Sequence, residues 1–145
     1  MRLPDFELIQ PENLEEALDI LAEKGASAAI IAGGTDILVS LRRKVIPLPT
    51  EICPDGCSIP QPSPQVCTPG SIRYLVSLNR IDELRGINIS DSGLEIGSLT
   101  TVSDIEDSVT VNASWRAIAE GAGNLGTPLV RNRATIGGNI CSARP

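Results

Sequence analysis

Histidine is absent from the 145-residue chain. That removes imidazole acid/base catalysis, imidazole metal ligation and attachment of a cofactor through a histidine. Aromatic residues are almost as scarce, with Phe6, Tyr74 and Trp115 single and scattered. A nucleic-acid stacking platform needs several rings on a basic face, and the chain is acidic: 12 Lys+Arg against 18 Asp+Glu, net −6. No apolar run approaches the roughly 18 to 20 residues that span a bilayer. The first residues, MRLPD, lack the apolar core of a signal peptide. A cytoplasmic location is the expectation. In a reducing cytosol Cys53, Cys57, Cys67 and Cys141 are thiols or metal ligands rather than disulfides. What is present, 41% hydrophobic and 21% charged residues, is ordinary globular composition for one domain.

Along the chain, Asn13 with Glu16 three residues later marks a helix start. Leu14, Ala17, Leu18, Leu21 and Ala22 repeat at helical spacing, and Gly25 stands where a C-terminal cap belongs. The apolar run at 28–32 (AAIIA) predicts a buried parallel strand, and Ile37, Leu38 and Leu41, followed by Arg42, Arg43 and Lys44, predict a second helix. Residues 47–72 hold seven of the eleven prolines and three of the four cysteines without periodicity, so they read as a loop or insertion. RYLVSL at 73–78 predicts a strand, 80–85 a short helix, and 87–89 with 94–98 a hairpin. Thr100 or Thr101 is a candidate cap for a helix near 102–106. Ser114 is a candidate cap for another, with Trp115, Ile118, Ala119 and Ala122 on one face and Gly123 near its end. The stretch 125–139 reads as loop and then strand.

Two stretches bear chemistry. Ala32, Gly33, Gly34, Thr35 and Asp36 lie between a strand and a helix, where amides and a hydroxyl can face an anion such as phosphate. On these residues alone, a tight strand-to-helix turn capped by Thr35 or Asp36 is the favoured reading. Neither the dinucleotide fingerprint G-x-G-x-x-G nor a phosphate loop with its lysine is present. Thr135, Ile136, Gly137, Gly138 and Asn139 repeat the logic of hydroxyl, two glycines and polar side chain. The two together point to a diphosphate held by backbone amides, with two unrelated turns as the bland reading.

AGGTDILVSLRR at 32–43, SLNRIDELRGI at 77–87, LEIGSLTTVSDIE at 94–106 and LVRNRATIGGNI at 129–140 resemble, in that order, the FAD-binding subunit or domain of the molybdenum hydroxylases. These are the xanthine dehydrogenase, carbon monoxide dehydrogenase medium-subunit and aromatic-CoA-reductase types. The resemblance implies an α+β fold of the FAD-binding type, a small parallel βαβ subdomain followed by an incomplete mixed-sheet subdomain. On this sequence it implies 1–46, continuing at 73–80, for the first, 47–72 for an insertion, and 81–145 for the truncated second. It further implies FAD contacts from 32–36 and 135–139 and, less directly, from Thr100 and Thr101. No residue is then needed as acid, base or nucleophile. The implied task is electron transfer, from a molybdopterin site through 2Fe-2S clusters on partner subunits to FAD, and on to NAD or a quinone.

Two departures from the family shape the expectation. The chain stops six residues after Asn139, whereas family members continue, so it reads as a fragment or split-gene product with weak flavin affinity or dependence on a partner. The insertion's Cys53, Cys57 and Cys67, with Cys141 as a distant fourth, could ligate zinc or an iron–sulfur cluster; the expected state is a proline-rich loop with incidental thiols. Two other readings stay open. One is a non-catalytic remnant serving as an assembly or scaffold subunit with an empty flavin site, and the other a module for a different diphosphate compound. Arg42, Arg43 and Lys44 are expected at a solvated helix end, and Trp115 in the core. Arg131 and Arg133, beside the second glycine stretch, are candidate contacts to FAD or a partner.

Overall fold

The computed structural model describes residues 3, 5–43 and 72–143. The proposed insertion at 47–72 falls outside them, apart from Ile72. Three strands, β1 (Glu7–Ile9), β2 (Ala28–Ile31) and β3 (Tyr74–Ser77), form a parallel sheet in the order β1-β3-β2. Helix α1 (Leu14–Lys24) connects β1 to β2. Asn13 accepts the Glu16 amide at its start, and Gly25, at φ 50°, closes its end. The φ value explains the glycine, because that region strains any side chain. Helix α2 (Ile37–Arg43) follows β2.

Side chains alternate across a strand, so the sheet has two covered faces. Leu75, Ala29 and Ile31 pack with Ile37, Leu38 and Leu41 of α2 and with Phe6. On the other face Lys24 of α1 lies 5.0 Å over the Tyr74 ring, and its hydrogen bond to Glu23 holds its pKa above the usual lysine value. Two expectations shift here. The 28–32 run forms an edge strand with Ile30 49% exposed, because β3 takes the centre, with Leu75 and Val76 fully buried. The apolar stripe of α1 is only partly covered: Ala17 is buried while Leu14 and Leu18 stay exposed.

After β3 the predicted helix at 80–85 appears instead as two 3₁₀ turns, Leu78–Arg80 and Asp82–Leu84. Buried Ile81 separates them. The hairpin is present as β4 (Ile87–Ser90) and β5 (Gly93–Ile96), antiparallel about Asp91 and Ser92. One face of it, with Ile87, Leu94 and Ile96, packs on Ile105, Val111 and Ala119. These core residues come from α3 (Val102–Asp107), α4 (Val109–Ser114) and α5 (Arg116–Gly123). Thr101 caps α3 in a reciprocal box with Asp104. Ser114 caps nothing: it is the last residue of α4, and α5 begins at Arg116 with Trp115 in the cap position and no side-chain cap bond. Trp115 is half-buried against the core, as is Ala122, whereas Ile118 is 40% exposed.

The end of the chain departs most from the sequence reading. After α6 (Pro128–Arg131), capped by Thr127, the predicted strand contributes a single bridge, Thr101 to Thr135, and then turns into α7 (Ile136–Ser142). The cause is local. Thr135 accepts the Gly138 amide and so acts as a helix cap, where its β-branched type had pointed to a strand.

The parallel sheet and the helical half meet backbone to backbone. A Cβ built on Gly33 would overlap the Arg133 carbonyl, with that carbonyl's carbon at 2.6 Å. One on Gly137 would sit 2.8 Å from the Ser98 carbonyl oxygen. At both positions only glycine fits. Gly33→Ala is expected to lower stability by about 1–3 kcal/mol in urea unfolding, since the Arg133 carbonyl must move. Leu75→Ala should cost about 2–5 kcal/mol in the same assay, against a change within about 0.5 kcal/mol for Val109→Ala, whose side chain is 83% exposed.

Candidate functional site

In an open parallel sheet, ligands bind at the carboxyl ends of the strands. Here those ends are Ala32 and Gly33 after β2, and Leu78 and Asn79 after β3. The turn at 32–36 follows from its residues: Gly34 has φ 79°, which leaves Thr35 and Asp36 to lead into α2. The Leu38 and Ser40 amides bond the Gly34 and Asp36 carbonyls. Among the described residues no acceptor takes the amides of Gly33, Gly34 or Thr35. They form a short row of donors suited to an anion.

The second glycine stretch is built differently. Its amides are already used within the chain: Ile136 bonds the Thr100 carbonyl at 3.0 Å, Gly137 the Ser98 carbonyl at 2.9 Å, and Gly138 the Thr135 hydroxyl at 3.2 Å. Glycine at 137 therefore serves the close pass of residue 98. What this stretch leaves available is the Asn139 side chain, half-buried and without a hydrogen bond to another described residue. Thr135 is buried, and its hydroxyl keeps its own proton to donate.

Thr100 and Thr101 lie between these stretches. Thr100 is buried and occupied, donating to the Gly86 carbonyl at 2.9 Å and accepting from the Gly86 amide at 3.0 Å. Thr101 caps α3. Both thus fasten the strut that carries the second stretch. The sequence-predicted residues do converge: Gly33 lies against Arg133 and Ala134, Ser142 at the end of α7 donates to Asp36 at 3.4 Å, and Thr101 bridges Thr135. About a hundred residues separate the two glycine stretches in sequence.

Some neighbours carried no legible signal. The Asn79 side chain donates to the Ala32 carbonyl at 3.3 Å, and Arg85 donates to the Asn79 and Leu99 carbonyls at 3.2 and 3.5 Å. Their partners are main-chain oxygens, which no residue pattern reveals. Arg131, a candidate ligand contact, is committed to Glu106 at 2.6 Å and to the carbonyls of Leu125 and Gly126, with only 13% of its side chain exposed. Arg133 and Arg42 are exposed. A cleft of about 570 Å³ adjoins the second stretch, lined by Leu94, Ile96, Trp115, Ile118, Ile136 and Ile140. Cys53, Cys57 and Cys67 lie outside the described residues, Cys141 is exposed on α7, and no cluster of three metal-ligating side chains occurs among the described residues. Nor is any described helix long and apolar enough to cross a membrane.

Known proteins resemble this chain in sequence and fold. Residues 68–145 match the family described as the FAD binding domain in molybdopterin dehydrogenase. The carbon monoxide dehydrogenase medium chain of Hydrogenophaga pseudoflava is 32% identical over 98% of this chain and 41% of its own length. The xanthine dehydrogenase FAD-binding subunit of Escherichia coli O157:H7 is 33% identical over 89% of this chain and 36% of its own length. Among solved structures, carbon monoxide dehydrogenase from Hydrogenophaga pseudoflava superposes with a TM-score of 0.76 over 97% of this chain and 40% of that one. Quinoline 2-oxidoreductase from Pseudomonas putida 86 does so with a TM-score of 0.74 at 26% identity. The chain spans about two-fifths of the length of these relatives. The sequence match across nearly the whole chain and the shared α+β architecture agree: this chain belongs to the FAD-binding domain family of the molybdopterin dehydrogenases.

Proposed function

We propose that this chain binds FAD across the crevice between its two glycine stretches and serves as the flavin component of a molybdenum hydroxylase-type oxidoreductase. The observation that carries the reading is the row of unpartnered amides at Gly33, Gly34 and Thr35, at the carboxyl end of β2, with the Arg133 and Ala134 backbone that leads into the 135–139 stretch held against Gly33. Those amides and the Thr35 hydroxyl hold the diphosphate. Asn139, from the far side, supplies a donor and an acceptor to the same ligand. Ala32, Asp36, Ile136, Gly137 and Gly138 shape the two walls, and Thr100, Thr101 and Thr135 keep them in register.

FAD supplies the redox chemistry, receiving reducing equivalents from 2Fe-2S clusters and delivering them to an acceptor such as NAD or a quinone. The chain itself binds and orients, and its lack of histidine is no handicap in that role. Iron–sulfur and molybdopterin-binding subunits are the proposed partners, because the relatives are named as one chain or subunit of such dehydrogenases. In this reading residues 1–46 with 73–80 form one subdomain and 81–145 the other, the ligand lies between them, and the protein works in the cytoplasm.

A second reading, an assembly subunit with an empty flavin site, draws on one observation: the amides of Ile136, Gly137 and Gly138 are bonded within the chain. Visible spectroscopy separates the two. After incubation with FAD and desalting, the purified chain is expected to retain a flavin spectrum, and after the same treatment with FMN to retain none. A colourless chain that circular dichroism shows to be folded would support the assembly reading instead. Asn139→Ala is expected to weaken FAD binding about threefold to tenfold, the loss of one hydrogen-bonding side chain, while the urea midpoint stays unchanged because no internal bond is lost. A variant that keeps full affinity would remove Asn139 from the site.

A further inference from the structure

A diphosphate carries two negative charges into an acidic chain, and main-chain amides offset them only with partial charges, so a positive side chain at the crevice would strengthen binding. Three of the described basic groups are already matched to carboxylates. Arg131 is paired with Glu106 and Arg116 with Glu120; on α1, Lys24 is paired with Glu23. Arg85 is different. Its guanidinium donates to two main-chain carbonyls, Asn79 at 3.2 Å and Leu99 at 3.5 Å, and to no carboxylate among the described residues.

Those carbonyls fix where the charge stands. Asn79 reaches with its side chain to the carbonyl of Ala32, the residue that opens the first glycine stretch. Leu99 lies between Ser98 and Thr100, whose carbonyls accept the Gly137 and Ile136 amides of the second. Arg85 thus stands where the supports of the two walls meet, is exposed, and has donors to spare after its two bonds. Arg133 also runs beside Gly33, but through its main chain, and no hydrogen bond among the described residues fixes its side chain.

We propose that Arg85 is a binding residue for the dinucleotide, giving the diphosphate its positive counter-charge while bracing the Asn79 and Leu99 carbonyls. The proposal rests on the FAD reading above. Its test is FAD affinity of the purified chain, followed by flavin fluorescence, for wild type, Arg85→Gln, Arg85→Lys and Arg133→Gln at low and high sodium chloride. Arg85→Gln is expected to bind about tenfold more weakly at low salt, and the gap should narrow to about twofold near 0.5 M salt, where a charge effect is screened. Arg85→Lys, which keeps the charge and loses the fork, should stay within about threefold of wild type.

Equal affinity of Arg85→Gln and wild type at low salt overturns the proposal. So does a salt-independent loss shared by Arg85→Lys, which would mean bracing alone, and so does a loss confined to Arg133→Gln. Failure of the wild type to bind FAD would instead sink the functional reading, and this proposal with it.

Discussion

The approach of Gly33 to the Arg133 carbonyl is the contact on which the rest of the architecture depends. It brings the carboxyl end of a parallel strand within van der Waals range of a loop about a hundred residues further on, and a single methyl group there would forbid it. Around it the chain commits main-chain groups heavily. The Leu99 amide bonds Leu84, Gly97 bonds Gly86, and the carbonyls of Ser98 and Thr100 take the amides that open α7. The buried Thr100 hydroxyl donates to the Gly86 carbonyl and accepts from the Gly86 amide, so its own polar group is satisfied where an unmet one would be costly. The crevice is therefore a consequence of how two backbones are tied, and side chains play the smaller part.

That construction divides the labour between the two glycine pairs. Gly34 supplies a backbone angle and Gly33 a close approach, and together they leave a row of amides outward and unpaired. Gly137 is a packing glycine that lets α7 start against Ser98, and the amides of its stretch are used for anchoring. One wall carries the donors, and the other carries rigidity and a side-chain amide. The partly buried Arg131–Glu106 pair strengthens the second wall by tying α6 to α3. In the proposed function, this frame leaves little ordering to occur on binding the diphosphate.

The family was legible because its motifs are short, ordered and composed of residues with special backbone uses, glycines above all. Helix α1, the hairpin and the cap at Thr101 were legible for a similar reason: caps, turns and periodicity are local, and local chemistry decided them. Local signals also misled. Thr135 and Ile136 favour strands by type, yet the Thr135 hydroxyl captures the Gly138 amide and starts a helix. The run at 28–32 has the composition of a central strand, but β3, which comes after the 47–72 stretch, takes the centre and leaves β2 at an edge.

The sequence by itself determined the chemical vocabulary: no histidine, an acidic surface, two glycine stretches with hydroxyl and amide neighbours, and the order of motifs that marks the family. Only the tertiary structure decided how those stretches are used. Which amides stay free, which glycines serve packing and which carbonyls hold the Arg85 side chain all depend on contacts that the fold makes between residues distant from one another. The partners in those contacts are mostly main-chain carbonyls, identical in every residue, so the sequence leaves no mark where they meet.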